Sequence, residues 1–463
     1  MDFGIIGLGV MGRSLAKNIA GKGFSLSVYN RMTEAEKEVV PNFLKNIHNK
    51  TVQGYTEMEG FVLSLSQPRK ILLMVNAGSP VDAVIAQLKP LLAQGDIIID
   101  GGNSHYKDTQ RRATFLKEVG LHFIGCGISG GEQGALSGPS MMAGGAMAAY
   151  AHIEPVLKGI AAKDNQENPC VNLLGSDGCG HFVKTIHNGI EYAEMQLLAE
   201  CYALLAPTYS YEKIASIFED WNTGPLASYL LEITAQIMTK KEGDSYLLDK
   251  VLDQAGSKGT GSWSSQAAFQ LGVPASMINA AVTARYISAL KEQRVKWSGK
   301  TVVPVEADAI DIDLLKDAYT FARILNHYQG FEIIKAASKE NQWNVNFSEI
   351  ARIWTKGCII QSQFMESLVT RFRDTDDLLN DTALFSELQK NEKAARSIIK
   401  HSLNLRIPIP CISNSLQSWM SLTTERSSAH LIQAQRDEFG AHTYKRIDKP
   451  FDQTFTSNWT HNG

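Results

Sequence analysis

The chain has 463 residues, 44% of them hydrophobic and 20% charged, with a net charge of −3. That length predicts two or three domains with sizeable cores, and the charge balance provides no basic field for nucleic acid or a membrane surface. Six scattered cysteines without a CxxC pair, no apolar run of membrane-spanning length and no leader before the first strand predict a cytoplasmic protein with reduced thiols, no disulfide framework and no metal site.

Phe3 to Gly12 reads as an apolar strand running into G-x-G-x-x-G, followed by a helix over Arg13–Ala20 and a second strand over Phe24–Tyr29. In that context Gly7 makes the tight turn, Gly9 lets the backbone approach a pyrophosphate, and Gly12 lets helix and strand pack closely. The helix N-terminus then offers amides and a positive dipole end to the phosphates. The second strand ends on Asn30-Arg31-Met32, where an NAD site would place an acidic residue for the ribose hydroxyl. Arg31 instead suits a 2′-phosphate, which favours NADP over NAD. The alternative is a surface arginine with Glu34 or Glu36 reaching back.

Strands are expected at Ile71–Val75, Asp96–Asp100 and His122–Cys126, with helices such as Val81–Leu92 between them, giving a parallel doubly wound sheet. Two glycine-rich junctions follow strands, Asp100–Ser104 and Gly127–Gly134, and both should face the cofactor crevice. Ser129, Gly130 and Gly131 offer a hydroxyl and backbone amides to a carboxylate, or are simple turns.

From about Gly178 helical periodicity takes over. Helices are expected at 182–205, 211–220, 225–238, 277–296, 311–337, 347–372, 383–403 and 413–421, an all-α second domain. Its first helix sets Lys184, His187, Asn188, Glu191 and Tyr192 on one face and Phe182, Val183, Ile186, Ile190 and Ala193 on the other. A solvated amphipathic face is the plain interpretation. A lysine and a glutamate beside a histidine, an asparagine and a tyrosine are also an inventory for proton transfer and for holding a polyhydroxylated anion. Lys258-Gly-Thr260-Gly261 can cradle a phosphate, and Arg285, on an apolar segment, needs an anionic partner or a structural salt bridge. The aromatic tail, 435–444 and 451–459, is expected to dock onto another surface.

The motifs GLGVMG, NR, DGGNS, SGGEQGA with GPSMMAGG, GHFVKTIHNGIEYAEMQ, KGTGSW and RDEFGAHTYKRID together resemble the decarboxylating 6-phosphogluconate dehydrogenase family, from the first strand to the tail. The resemblance implies a Rossmann-like doubly wound N-terminal domain (1–177), a large all-α substrate and dimerisation domain (178–435) and a C-terminal tail (436–463) that reaches the partner subunit of a homodimer. It implies oxidation and decarboxylation of 6-phospho-D-gluconate with NADP, Lys184 as general base and Glu191 as the acid. Asn103, Ser129, Gly130, Gly131, His187 and Asn188 would hold the carboxylate and hydroxyls. Tyr192, Lys258, Thr260 and Arg285 would meet the phosphate, with Arg436 and His442 of the partner subunit. NADP would meet Gly7, Gly9, Val10, Met11, Gly12, Asn30, Arg31, Met32, Val75, Asn76, Ala77 and Asn103. The chain departs from the family pattern at Met32, Asn76, His105, Ser262 and Gln361; the first two bear on cofactor choice. A dehydrogenase of a small 3-hydroxy acid would leave Arg285, Arg436 and the Lys258 loop without an anion. A nucleotide-binding sensor on the same fold would bind cofactor without turnover.

Overall fold

The computed structural model describes residues 1–47, 51–257, 259–301 and 309–459, and the chain forms two compact units, Met1–Ser415 and Leu416–Gly463. In the first unit the expected strand–turn–helix opening forms as β1 (Phe3–Ile6), α1 (Val10–Gly21) and β2 (Leu26–Tyr29). The sheet continues through β3 (Val52–Tyr55), β4 (Lys70–Leu73), β5 (Ile97–Asp100), β6 (His122–Ser129), β7 (Ser140–Gly144) and β8 (Val171–Gly175). Its order is β3-β2-β1-β4-β5-β6-β7-β8. Leu15 and Ile19 of α1 pack with Phe3, Ile5, Leu26 and Val28 on one face, and Phe61, Leu73, Val81 and Ile98 close the other. Burial on both faces explains why β5 is an unbroken isoleucine run rather than an alternating one.

The six strands β1 to β6 are parallel, whereas β7 runs against β6 and β8 follows β7. This reversed edge departs from the expected parallel sheet. Only residues 130–139 separate β6 from β7, and a parallel crossover needs about a dozen or more. The sequence also placed a loop over Gly127–Gly134, but β6 runs through to Ser129. Gly130 then turns in the left-handed region (φ 116°), and a short helix over Gly131–Ser137 begins at once.

Past β8 the chain is helical. Thr260 and Gly261, expected to close the Lys258 loop, instead open a helix over Thr260–Leu271 with Gly259 at its N-cap. The single helix expected over 277–296 is two, Ser276–Ala289 and Lys291–Ser298, broken at Leu290 (φ −84°, ψ 44°). The expected 347–372 helix is also two, Phe347–Ile353 and Gln363–Asp374, parted by a turn through Gly357 (φ 70°). The helix expected from Pro225 begins at Tyr229, where Ser228 Oγ accepts from the Leu231 amide. A two-stranded hairpin, Lys241–Glu242 with Ser245–Tyr246, interrupts the helices.

The central helix, α2 (Cys179–Leu205), is not the half-solvated element that its amphipathic pattern suggested. Lys184, His187, Asn188 and Tyr192 are 6%, 0%, 8% and 7% exposed. The sheet face under it is stripped of side chains. A Cβ on Gly127 of β6 would sit 2.3 Å from the Lys184 Cβ, and one on Gly180 would sit 2.4 Å from the Met142 carbonyl oxygen of β7. Helix and strands therefore meet almost backbone to backbone, and the polar face of α2 is pressed onto the carboxyl end of β6.

In the second unit, α3 (Ala429–Gly440) presents Asp437, whose carboxylate accepts from the Thr443 amide at 3.0 Å, the Ser457 amide at 2.9 Å and Trp459 Nε1 at 2.8 Å. One buried carboxylate thus clasps the tail around its helix, while Phe439, Ile447 and Phe451 are 74%, 86% and 76% exposed.

Replacing Gly127 with alanine forces α2 off the sheet. We expect Gly127→Ala to cost about 1–3 kcal/mol by overpacking, read as a lower midpoint in denaturant unfolding. A midpoint equal to the parent's would show that the helix seats elsewhere.

Candidate active site

At the first crevice, Gly7 holds φ +98°, and a Cβ there would lie 2.5 Å from the Met74 carbonyl. A Cβ on Gly12 would lie 2.0 Å from the Gly7 carbonyl, while one on Gly9 would meet nothing within 4 Å. Turn, close packing and open approach thus fall to Gly7, Gly12 and Gly9 as the motif predicts, with the amides of α1 behind them. A cavity of about 340 Å³ joins Gly7, Gly9, Asn30, Arg31, Val75 and Asn76. Val10, Met32 and Ala77 are exposed nearby in the chain, and Met11 is half-buried against the core. The glycine cradle and the guanidinium at the far end fit a phosphorylated dinucleotide.

Arg31 is not idle. Its Nε and Nη2 donate to the Glu36 carboxylate, both at 2.9 Å, and Asn30 Nδ2 donates to the same group at 3.1 Å. Asn30 Oδ1 in turn accepts from the Leu8 amide at 3.0 Å, fixing the glycine turn. Glu36 therefore does reach back, as the alternative had it. The pair lies at the surface, where such contacts are weak and exchangeable.

The second crevice is built on α2. Asn103, Lys184, Asn188 and Thr260 line one narrow cleft with Ser104, His181 and Trp263. Lys184 Nζ lies 3.3 Å from His187 Nδ1, which is 3.3 Å from Asn188 Oδ1, and His187 Nε2 lies 3.2 Å from Ser129 Oγ. A Glu191 oxygen is 3.7 Å from His187 Nδ1. Burial lowers the Lys184 pKa, against the opposing charge of Glu191. Burial also holds His187 well below its ordinary value and therefore neutral, so its approach to Glu191 is not an ion pair. The Glu191 pKa is raised by burial, against the pull of Lys184 and Arg285. A base and an acid with their pKa values displaced toward neutrality stand two turns apart.

Asn103 is aimed by its loop. The Asp100 carboxylate accepts from the Gly102 amide at 3.0 Å, from Ser104 Oγ at 2.6 Å and from Arg112 Nη1 at 3.4 Å. At the other end of the face, the Arg285 guanidinium stacks 3.4 Å from the Tyr192 ring centre, and a Cβ on Gly261 would meet that ring at 2.4 Å. Arg285 donates to the Gly256 carbonyl at 3.2 Å and makes no carboxylate ion pair among the described residues. The structural salt bridge considered for it is absent there. Gly130 and Gly131 stand at φ 116° and 61° beside Ser129. Lys258 lies outside the described residues. Arg436 and His442 belong to the second unit, where both are exposed.

Sequence reading passed over His181, Ser104 and Trp263. His181 lies in the same motif one turn before Lys184, and Ser104 in the DGGNS loop itself; adjacency to named positions was the available signal.

Residues 2–175 match the family model described as the NAD binding domain of 6-phosphogluconate dehydrogenase, and residues 180–459 match that of the 6-phosphogluconate dehydrogenase C-terminal domain. The chain belongs to the 6-phosphogluconate dehydrogenase family. It is 46% identical over 470 residues to the NADP(+)-dependent, decarboxylating 6-phosphogluconate dehydrogenase of Bacillus subtilis, spanning 99% of each chain. With the decarboxylating 6-phosphogluconate dehydrogenase of Lactococcus lactis it shares 44% over 460 residues, 97% of each. The solved Plasmodium falciparum 6-phosphogluconate dehydrogenase, described in apo form and in complexes with NADP+ and with 6-phosphogluconate, aligns with a TM-score of 0.94 at 37% identity, covering 99% of this chain and 100% of that one. A larger cavity, about 560 Å³ among Thr223, Arg323 and Arg371, shares no residue with either crevice of this dehydrogenase.

The opposed shifts of Lys184 and Glu191 are mutually dependent. In Lys184→Met the Glu191 carboxyl keeps its burial and loses the neighbouring ammonium, so its pKa should climb further. Carbon-detected titration of labelled glutamate checks this; an unmoved or lowered value would show that the two groups do not share a field.

Proposed function

We propose that this chain converts 6-phospho-D-gluconate to D-ribulose 5-phosphate and carbon dioxide with reduction of NADP. The observation that carries the reading is the buried lysine and the carboxyl two turns along α2, each with its charged form disfavoured by burial. Full-length relatives described as NADP-dependent and decarboxylating support it, as does a like structure solved with the substrate.

NADP, when bound, supplies the hydride acceptor for C3. Lys184 enters as the neutral amine that its burial favours and takes the C3 hydroxyl proton as the hydride leaves. The product of that step is a β-keto acid. Lys184 returns the proton to the new carbonyl oxygen, which draws in the electron pair of the C1–C2 bond as carbon dioxide departs. Glu191, whose charged form burial disfavours, then gives a proton to the enediol carbon that becomes C1 of the product, while the O–H proton at the former C3 passes back to Lys184 and leaves the ketone.

Binding follows the same face. Ser129, Gly130, Gly131, Asn103, His187 and Asn188 hold the carboxylate and hydroxyls. The phosphate meets Tyr192, Thr260, Arg285 and Lys258, joined in a homodimer by Arg436 and His442 of the partner subunit. The exposed Phe439, Ile447 and Phe451 suit a tail that buries its apolar side on a second copy. In this reading residues 1–177 bind the cofactor, 178–435 bind substrate and dimerise, and 436–463 complete the partner's site. Among the described residues no helix is long and apolar enough to cross a membrane. Six buried free cysteines suit a reducing cytoplasm.

Absorbance of reduced nicotinamide, followed with 6-phosphogluconate and each cofactor in turn, tests the reaction. Turnover should be faster with NADP, and Lys184→Ala should lose about 10²–10⁴-fold in kcat while still binding cofactor; a near-normal kcat would remove Lys184 as the base. Removal of the chain after Gln435 should raise the KM for substrate steeply, and a truncated enzyme with the parent's KM would contradict the shared site.

A further inference from the structure

His181 takes no part in the proton transfers above, yet it sits where α2 meets β6 and the helix that follows the DGGNS loop. It is 1% exposed, stands one helical turn before Lys184 and borders the space shared by Asn103, Lys184 and Thr260. Its Nδ1 lies 2.6 Å from Thr109 Oγ1, on the helix that follows the DGGNS loop. Its Nε2 is buried and closes no hydrogen bond among the described residues. A Cβ on Gly125 of β6 would come within 2.8 Å of Nδ1, so the strand is bare where the ring sits. The carbonyls of Asp100 and Gly102 face the imidazole, which burial keeps neutral.

A neutral imidazole carries one proton, and Thr109 decides where it resides. The other acceptor for the Thr109 hydroxyl, the His105 carbonyl, is 3.4 Å away. We assign the hydroxyl hydrogen to the nearer Nδ1 and the imidazole proton to Nε2, because the carbonyls of Asp100 and Gly102 favour a donor there. That N–H is a buried donor beside the carbonyls of the loop that carries Asn103. The Asp100 carboxylate is already engaged by the Gly102 amide, Ser104 and Arg112 and makes no hydrogen bond to Nε2.

We propose that His181 is a positioning residue, its tautomer set by Thr109, whose Nε2–H draws the loop over 100–104 onto α2 and so sets Asn103 against Lys184. The proposal rests on the reading that Asn103 and Lys184 serve one substrate. The Nε2–H contact tightens as Asn103 engages that substrate, as hydrogen bonds in catalytic sites commonly do.

The test uses the full-length enzyme and three variants. His181→Asn keeps a polar partner for Thr109 and removes Nε2. Thr109→Val keeps shape and removes the hydroxyl, and Thr109→Ser restores it. His181→Asn and Thr109→Val should each lose about 10- to 100-fold in kcat at saturating substrates, the scale of a misplaced reacting group. Their melting temperatures should match the parent's. With substrate deuterated at C3, the isotope effect on kcat should rise in both, which a purely structural loss would not cause. Thr109→Ser should recover most of the activity. A kcat within about twofold of the parent for Thr109→Val, or Thr109→Ser as slow as Thr109→Val, would overturn the proposal. Should His181→Asn fail to fold, the two Thr109 variants decide. Full activity in Lys184→Ala would instead strike the reaction assignment beneath it.

Discussion

The approach of α2 to the bare backbone of β6 and β7 governs the rest of this molecule. A helix carrying a lysine, a histidine and an asparagine on one face would ordinarily turn that face to water. Here Gly127 leaves room for the Lys184 methylenes, and Gly180 lets the helix backbone come up against the Met142 carbonyl. His187 then arrives beside Ser129, the last residue of β6, with the Lys184 amine and Asn188 against the far side of its ring. A single packing constraint therefore does two jobs. It places Lys184 at the carboxyl end of the sheet, where an open α/β fold binds its ligands, and the burial it imposes lowers the pKa of that lysine.

His187 shows why that burial must extend past Lys184. An imidazolium 3.3 Å from the lysine would repel it whenever the lysine carries a proton and would have no lone pair on Nδ1 to accept from it. As a neutral ring, His187 bridges Ser129 on the strand and Lys184 and Asn188 on the helix. The acid lies nearer the rim. Glu191 keeps about a fifth of its side-chain surface exposed (21%), between the lysine and the Arg285–Tyr192 stack, and both cations moderate the rise that burial alone would give it. Position along the helix thus grades the environment from sealed at Lys184 to partly open at Glu191, and Arg285, on the separate helix Ser276–Ala289, lies beyond it.

How much of this could be read from residues alone depended on the range of the interactions. The glycine motif was interpretable because strand, turn and helix are consecutive, and the closest approach, Gly12 against the Gly7 carbonyl, lies within that one unit. The five-residue face of α2 was likewise correct, since helical periodicity reports which side chains share a side. Periodicity does not report what covers a side, so the burial of Lys184 was invisible; it depends on Gly127, far away in sequence and in a segment taken for a loop. The reversal of β7 lay hidden in the length of a connection, and the break at Leu290 leaves no proline or glycine to mark it. Thr260 was identified with its phosphate cradle yet not as the start of a helix, because Gly259 and Gly261 read as turn residues.

The cofactor end obeys a different logic, that of exchange. Arg31 already presents a forked pair of donors, held in plane by Glu36. A 2′-phosphate offers the same two-oxygen geometry with greater charge, so it replaces one acceptor by a stronger one and needs little reordering of the guanidinium. A ribose hydroxyl carries no charge to displace Glu36, and with NAD the pair would remain closed. Met32 and Asn76 add no charge of their own at this end. On the proposed use of Arg31 as the 2′-phosphate contact, the incoming group must win it from Glu36, and an anion is better matched to that exchange than a hydroxyl.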